Sequence, residues 1–266
     1  MTDGPSHCPG LYVLGHALRE RRIDRGMTLR QLARELAISP ASLSAWENGE
    51  RRIEAGPLGW LLGYLQAPPV DYHFLMRLHG QSERASYIEN LKSGTASLQL
   101  AYERYALRTF EWAPHVVPDL LQTSEYAHAV LGRHVVQPDD VDQEILTRQV
   151  RHLDRDPQHR HTLLLGAAAL TSESVPQEVL HAQLQQITTP ASRPQVDARV
   201  VPADACSAGA IDPFVIYETA AKIFTVVLQH EHTTVYLSDP VTVKRYRSTF
   251  GALQGKTVDY LPVGSC

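Results

Sequence analysis

Apolar residues recur at three- and four-residue intervals over the first eighty positions, a pattern typical of amphipathic helices. The first apolar stripe runs from Leu11 to Ile23, and Gly26 is placed to end that helix. Thr28 is followed three residues later by Gln31, a capping-box pattern that predicts the start of a second helix. The chain is therefore predicted to begin with a series of short helices after a loose arm of residues 1–10.

A third helix is predicted to start at Ser39-Pro40, an N-cap followed by proline at the first helical position. Asn48-Gly49 is expected to end it. Two further helices are predicted near residues 56–65 and 71–79, separated by Pro68-Pro69. The first eighty residues thus indicate an all-α domain of five helices.

Beyond residue 80 the pattern alternates between helix and strand signals. A helical tract is predicted from Tyr87 to Glu111, with further helices near 139–153, 177–186 and 240–253. Strands are predicted at 162–165 and 196–201, followed by a hairpin of 223–229 and 233–237. These elements predict an α+β chain whose larger helical domain has a small, mainly antiparallel sheet. The expected divisions are an arm (1–10), an all-α domain (11–80), a linker (81–86) and a second domain (87–266).

Composition narrows the class of protein. The 266 residues are 43% hydrophobic, enough for packed cores, and carry a net charge of −4. A protein that coats nucleic acid over its whole surface would be basic, so any contact with nucleic acid must be confined to a patch. Residues 11–66 contain eight arginines and six acidic residues, which makes this segment the candidate.

Cysteine spacing and hydropathy predict where the protein is located, namely in a reducing compartment and outside the membrane. Cys8, Cys206 and Cys266 lack the spacing of a zinc site or a disulfide framework. No apolar run approaches the roughly 18–20 residues of a membrane span, and the first ten residues do not form a signal peptide. We expect a cytoplasmic protein with no membrane partner, no metal and no cofactor.

Residues 28–49 predict two short helices held at a steep angle by a small core. Ala33 is suited to let the helices approach closely. The buried contacts between them are predicted to come from Leu32, Leu36, Ile38, Leu43 and Trp46. The second helix would then project an exposed face shaped to enter the major groove of double-stranded DNA.

The residues predicted to meet DNA fall into two groups. The exposed face of the second helix consists of Ser39, Pro40, Ala41, Ser42, Ser44 and Ala45. Phosphate contacts are predicted for Thr28, Arg30, Asn48, Arg51 and Arg52. Serine can form hydrogen bonds with more than one kind of base, and alanine can contact only the methyl group of thymine. We therefore expect few base-specific contacts from this face. Specificity would come from DNA shape, dimer spacing or Arg51 and Arg52, unless strong sequence-specific binding has been lost.

Residues 11–66 resemble the XRE/Cro-CI family of repressor domains. The resemblance rests on Gln31-Leu32-Ala33, on Ser39, and on Leu43 with Trp46-Glu47-Asn48-Gly49. It implies a helix-turn-helix transcriptional regulator, expected to bind a pseudopalindrome as a homodimer.

The remainder resembles the second domain of WhiJ-like, antitoxin-like actinobacterial regulators. The residues that carry the resemblance are Tyr102-Glu103, Trp112-Ala113-Pro114, the segment 118–127, Arg148-Gln149, Gln183-Leu184, Val200-Val201-Pro202 and Ile216-Tyr217. The resemblance implies regulation, commonly through a small partner protein. We expect this second domain to provide dimerisation and to sense a ligand or a small partner protein.

Candidate chemistry in the second domain is limited, and no enzyme is predicted. His230-Glu231-His232 is interpreted as a solvated turn rather than a metal site. A second group is interpreted as a polar helix end and loop rather than as metal ligands: His152, Asp154, Asp156, His159 and His161. Tyr102, Tyr105, Trp112 and Tyr126 are candidate lining for a pocket that binds a small-molecule effector, although aromatic residues at helical spacing are more often core. Two alternatives to a regulator stay open: an antitoxin-like interaction module, and an enzyme built on a regulator fold.

Overall fold

The computed structural model describes residues 8–80, 85–90, 98–131, 158–172, 175–188, 195–205, 212–219, 222–230 and 233–258. The chain divides into two compact units. The first comprises Met1–Tyr105 with Ile223–Val243, and the second comprises Ala106–Lys222 with Lys244–Cys266. The first unit therefore includes the five predicted N-terminal helices and also segments of the predicted second domain.

The described elements follow one another as helices and strands. In chain order they are α1 (Pro9–Asp24), α2 (Leu29–Glu35), α3 (Pro40–Glu47), α4 (Ala55–Tyr64), α5 (Pro69–His79), β1 (Ser86–Asn90), α6 (Leu98–Tyr105), β2 (Arg108–Ala113), α7 (Ser124–Leu131), β3 (Arg160–Gly166), α8 (Gln177–Thr188), β4 (Val196–Val201), β5 (Phe214–Glu218), β6 (Phe224–Gln229), β7 (Thr233–Leu237) and α9 (Pro240–Gln254). Short 3-10 helices lie at Asp119–Leu121, Ala167–Leu170 and Ala203–Ala205. The α+β class predicted from the sequence is confirmed.

Helices α1–α5 surround one apolar core in the first unit. Its buried residues include Leu14, Leu18, Leu32, Leu43, Leu58, Leu61 and Leu62. Each leucine falls on the apolar stripe of its helix, as the periodicity predicts. Helix α1 begins at Pro9, two residues before the predicted apolar stripe.

The first unit also contains a three-stranded antiparallel ladder. Strand β1 pairs with β7, and β7 pairs with β6. The β6–β7 hairpin was predicted at 223–229 and 233–237 and is confirmed, although residues 231 and 232 at its turn lie outside the described residues.

The second unit contains four strands in the order β5-β2-β3-β4. β2 is antiparallel to β5 and parallel to β3, and β3 is parallel to β4. A cluster of buried apolar residues packs α7 and α8 against this ladder; it includes Val117, Leu121, Tyr126, Leu163, Leu165, Leu170, Val175 and Val200.

Two predictions about the second domain need correction. The long helix expected from Tyr87 to Glu111 is wrong, because the described parts of this stretch form β1, α6 and β2. Strand β2 pairs on both sides, and those partners lie far along the chain, where local periodicity does not register them. The sheet structure is also larger and more mixed than predicted, with seven strands in the described ranges and two parallel pairings in the second unit. The helix predicted at 139–153 lies outside the described residues.

Candidate nucleic-acid interface

The helix α2 begins with the predicted capping box. The Thr28 hydroxyl oxygen accepts a hydrogen bond from the Gln31 backbone N–H at 3.2 Å. In return, the Thr28 backbone N–H donates to Oε1 of Gln31 at 2.8 Å. Both N-terminal donors are therefore satisfied, which fixes where α2 starts.

The helix α3 begins with the predicted serine cap. The Ser42 backbone N–H donates to Oγ of Ser39 at 3.0 Å, and Pro40 occupies the first helical position. Proline is preorganised for this position and lacks the N–H that would have no partner there. The N-terminus of α3 is thus fixed by local sequence alone.

A tight turn joins α2 to α3. Ala37 has a φ of +52°, the left-handed conformation that commonly ends a helix. The Ile38 backbone N–H then donates to the Ala33 carbonyl at 2.9 Å. Ala33 itself is fully buried, as expected for a residue at a close helix contact.

The helices α1 and α3 meet with their backbones in direct contact. A Cβ added to Gly15 would lie 2.4 Å from the Trp46 carbonyl oxygen. Gly49 has a φ of +68°, and a Cβ there would lie 2.8 Å from the Tyr12 Cα. Because no side chain fits at Gly15 without a backbone shift, this close approach of α3 to α1 requires glycine.

A buried ion pair also holds the end of α3. The Arg22 guanidinium donates from Nε and an Nη to the two carboxylate oxygens of Glu47, both at 2.7 Å. It also donates to the Met27 carbonyl at 2.8 Å. The hydrogen bond with Glu47 raises the pKa of Arg22 above its ordinary value. Both side chains are almost fully buried, so the charges are neutralised within the core.

The sequence predictions missed this pair, although the sequence carries a signal for it. Arg22 follows Leu14 and Leu18 at intervals of four residues, and Glu47 follows Leu43 by four. Both charges therefore continue a buried stripe, where an ion needs a partner of opposite sign.

The predicted reading face of α3 is small and uncharged. Ser39, Pro40 and Ala41 are exposed, whereas Ser42, Ser44 and Ala45 are half-buried. The Asn48 amide donates to Oγ of Ser44 at 3.5 Å and to a carboxylate oxygen of Glu50 at 3.4 Å. Two of the predicted core residues, Ile38 and Trp46, are half-buried rather than buried.

The three arginines predicted to meet phosphate differ in their surroundings. Arg30 on α2 is exposed. Arg51 lies over the Trp46 ring, with its Cζ 5.8 Å from the ring centroid. Arg52 donates to the His79 carbonyl at 3.4 Å, so its guanidinium is engaged at the end of α5. Arg30 and Arg51 are therefore better placed than Arg52 to contact a phosphate group.

A neighbouring side of α1 packs against α6. The rings of Tyr12 and Tyr102 are stacked with centroids 6.0 Å apart, and those of His16 and Tyr105 are 5.1 Å apart. The Tyr105 hydroxyl donates to a carboxylate oxygen of Glu20 at 2.6 Å, and Arg104 forms an ion pair with the same side chain. Tyr102 is fully buried and donates to the Pro9 carbonyl at 3.2 Å.

His16 is neutral at pH 7 in this setting. Burial, together with the nearby Arg19 charge, lowers the pKa of His16 to about 4. An uncharged imidazole can stack on the Tyr105 ring without bringing a buried cation into the contact.

The four aromatic residues predicted to line a pocket are divided between the units. Tyr102 and Tyr105 belong to the first unit, and Trp112 and Tyr126 belong to the second. Trp112 is buried on β2, and Tyr126 accepts a hydrogen bond from the Val117 backbone N–H at 3.2 Å within the second core. The pocket remains a prediction.

The segment 118–127 forms a hydrogen-bonded corner in the second unit. Gln183 on α8 is fully buried; its side chain accepts from the Thr123 backbone N–H and donates to the Leu121 carbonyl, each at 2.7 Å. The Gln122 side chain donates to the Val117 carbonyl at 2.7 Å. These residues therefore satisfy backbone groups around the corner, which is a structural role.

Two histidines from the group interpreted as a polar helix end and loop are buried, and His161 lies on strand β3. His159 and His161 are stacked with ring centroids 4.1 Å apart, and His159 Nε2 lies 2.7 Å from Oγ1 of Thr109. Their partners across the β2–β3 pairing cover them, a tertiary effect that their polar neighbours in sequence concealed. Within the described ranges no group of three or more His, Cys, Asp or Glu side chains is arranged to hold a metal ion.

Comparisons with known proteins place both parts of the chain. Residues 13–74 match a helix-turn-helix domain, so the first unit contains a helix-turn-helix of the DNA-binding regulator class. Residues 97–260 match the domain of unknown function DUF5753, and the chain belongs to that family. No curated protein matches the chain. Among the helices described, none is long and apolar enough to cross a membrane.

Two solved structures are similar to parts of the chain. The clp gene regulator ClgR from C. glutamicum is 32% identical over 30% of this chain and 99% of its own, with a TM-score of 0.24. TrmBL2, an archaeal chromatin protein, is 11% identical over 76% of this chain and 66% of its own, with a TM-score of 0.31.

Proposed function

We propose that the chain is a sequence-specific transcriptional regulator that binds double-stranded DNA as a homodimer. In this proposal α3 enters the major groove, with Ser39, Pro40, Ala41, Ser42, Ser44 and Ala45 facing the bases. Thr28, Arg30, Asn48 and Arg51 contact phosphates on either side, and Arg52 supports the loop that carries Arg51.

The proposal rests on one observation: α3 is held in a defined position against α1. At Gly15 the α3 backbone lies in direct contact with α1. Glu47, the last residue of α3, forms an ion pair with Arg22 inside the core. A helix held this firmly can present small side chains in a groove at little cost in conformational entropy. Because the reading face is uncharged, phosphate contacts and DNA shape would supply most of the affinity and part of the specificity.

We further propose that the DUF5753 region regulates DNA binding through α6. This helix lies in the family region and packs on α1, and an adjoining side of α1 contacts α3. An effector or small partner protein that shifted α6 would therefore act on α3 through one intervening helix. The resemblance to antitoxin-like regulators supports a protein partner.

The experiment that tests this function is selection of binding sites from random duplexes, followed by affinity measurements on single-arginine variants. Arg30→Ala and Arg51→Ala should each weaken binding to every duplex about equally. Each should also lower the salt slope by about two, because each copy in the homodimer no longer neutralises one phosphate. Arg245→Ala removes the same charge from an exposed position on α9 and serves as the matched control.

The outcomes distinguish the proposed roles. Enrichment of a two-fold symmetric site, with Arg245→Ala binding like the wild type, supports the proposal. If no sequence is enriched, or if all three variants behave alike, the proposed interface is wrong.

A further inference from the structure

The helix α9 carries a concentration of positive charge in an acidic chain. The segment 240–258 contains no acidic residue and four basic ones: Lys244, Arg245, Arg247 and Lys256. All four are exposed, and all four belong to the second unit. The rest of the chain has 21 basic against 29 acidic residues, a net charge of −8. A local charge of opposite sign to that of the whole chain indicates a surface that attracts an anionic partner.

The buried side of α9 fixes how the helix is oriented on the sheet of the second unit. The Phe250 ring meets the rings of Phe110 on β2 and Phe214 on β5 edge to face, with centroids 5.5 and 6.4 Å apart. Tyr246 meets Phe214 in the same way at 5.0 Å. These contacts leave the basic side of α9 directed away from the sheet.

The middle of this exposed side consists of small residues. Ser248, Gly251 and Ala252 lie on one helix face at intervals of three and four residues, and all three are exposed. A Cβ added to Gly251 would meet no atom within 4 Å. We name these three residues the small-residue stripe. Because the distance between two packed helices depends on the side chains at their contact, this stripe lets another helix approach closely.

The four basic residues surround the small-residue stripe. Arg245 and Arg247 are two positions apart, which places them about 160° apart around the helix axis, with the stripe between them. Lys244 lies one turn before the stripe and Lys256 one turn after it. The Lys256 ammonium donates to the Ala205 carbonyl at 3.0 Å, which holds it at that end. The stripe and these four residues form what we name the α9 face.

We propose that the α9 face binds an acidic amphipathic helix of a partner protein. The uncharged seam of the partner helix covers the small-residue stripe, and carboxylates along both edges of that seam pair with Arg245 and Arg247. The face extends about 18 Å along the axis, the length of a helix of about 12 residues.

The arrangement favours a helix over a DNA backbone as the anion. The basic residues lie at the edges and ends of the α9 face, whereas the small-residue stripe in its middle offers a phosphate no charge. The stripe also reaches the last turn of α9, where the helix dipole is negative and disfavours phosphate. This inference rests on the proposed function, in which the DUF5753 region receives a regulatory partner, and adds the chemistry of that partner and the surface that binds it.

The test is fluorescence anisotropy of the full chain with a labelled alanine-rich helical peptide of about 20 residues, which has glutamates on both sides of an alanine seam. A second peptide with glutamine in place of each glutamate is the matched probe. We expect saturable binding of the glutamate peptide and at least tenfold weaker binding of the glutamine peptide. No binding of the glutamate peptide, or equal binding of both, overturns the proposal.

A variant that fills the small-residue stripe tests whether the anion is a helix. Gly251→Leu changes no charge and has open space for its side chain, so it should fold normally and weaken binding of the glutamate peptide at least tenfold. Gly63→Leu on α4 also has open space and is the matched control, which should bind like the wild type. Unchanged binding by Gly251→Leu would show that the face holds any polyanion by charge alone, and the proposed helix would be wrong.

Two charge reversals separate this inference from the proposed function. Arg245→Glu should weaken binding of the glutamate peptide at least tenfold and bind the selected DNA duplex like the wild type. Arg30→Glu, on the predicted DNA interface, should have the opposite effects. If Arg245→Glu weakens DNA binding as much as Arg30→Glu does, the α9 face binds DNA and the proposal is wrong. Failure of the wild type to bind DNA would overturn the proposed function and leave the peptide result intact.

Discussion

Single residues determine how firmly α3 is held. The Arg22–Glu47 pair joins α1 to the end of α3 through two hydrogen bonds of 2.7 Å in the core. Such a pair adds little stability over an apolar replacement, yet removing one partner leaves an uncompensated buried charge. The pair therefore fixes the position of α3 more than it stabilises the unit.

Glu47→Gln should lower the free energy of unfolding of the first unit by about 3–5 kcal/mol, because Arg22 stays charged and loses its counterion. Urea denaturation followed by circular dichroism measures the change. The exposed pair Asp197–Arg199 is the control, since Asp197→Asn should cost less than about 1 kcal/mol. Equal small costs for both variants would show that the buried pair does not hold α3.

His16 should make the first unit sensitive to acid. Its pKa is about 4 in the folded chain and 6.5 as an unperturbed group, so the unfolded chain binds a proton first as the pH falls. Its contribution to stability is complete above about pH 6.5 and is lost progressively toward pH 4, by ~3 kcal/mol in total. His16→Phe retains a ring beside Tyr105 and should flatten the stability profile over this range, whereas an unchanged profile would contradict the assignment.

Among the helices and strands of the first unit, α1 makes the contacts that hold both α3 and α6 in place. One side contacts α3 through Gly15 and Arg22, and another side contacts α6 through Tyr12, His16 and Glu20. Because the backbones of α1 and α3 are already in contact at Gly15, we expect a displacement of α1 by α6 to move α3 as well. This arrangement supports the proposed route of regulation.

Gly15→Ala should destabilise the first unit by about 1–3 kcal/mol and weaken DNA binding, because the new methyl group would lie 2.4 Å from the Trp46 carbonyl oxygen. Thermal denaturation and a binding assay measure the two effects. Gly63→Ala in α4 has open space and should stabilise the helix by about 1 kcal/mol. A tolerated Gly15→Ala would show that α1 and α3 can move apart.

Gln183→Leu should cost the second unit at least about 2 kcal/mol, since the Thr123 N–H and the Leu121 carbonyl would both lose a buried partner. Gln186→Leu on the exposed side of α8 is the matched control and should be nearly neutral. Equal effects on chemical denaturation would refute the structural role assigned to Gln183.

Sequence patterns predicted correctly those helices and strands whose ends are determined by residues close in sequence. The Thr28 and Ser39 caps and the β6–β7 hairpin are examples, because capping groups and hairpin strands lie close in sequence. The strands β1 and β2 were predicted as helix because their partners come from β7, β3 and β5, more than forty residues away. The Arg22–Glu47 pair was missed although both charges continue a buried stripe, because periodicity does not show which charge 25 residues away is the partner. The DNA contacts of α3 remain predictions that only binding experiments can test.

At the scale of the whole molecule, the compact units do not coincide with the two sequence families. The first unit combines the helix-turn-helix helices with α6 and the β6–β7 hairpin, which lie inside the residues that match DUF5753. In this arrangement, part of the DUF5753 region is in direct contact with α1, the helix against which α3 packs. We therefore expect regulation and DNA binding to be coupled in the intact chain.

The most direct test of the account is fluorescence polarisation of the intact protein with its selected duplex and with a scrambled duplex, at about 50 and 200 mM salt. If Arg30 and Arg51 of two copies meet four phosphates, affinity for the selected duplex should fall about 100-fold over this range. At each salt concentration the selected duplex should bind much more tightly than the scrambled one. Equal affinity for both duplexes, or no binding at the lower salt concentration, would contradict the claim that α3 reads DNA.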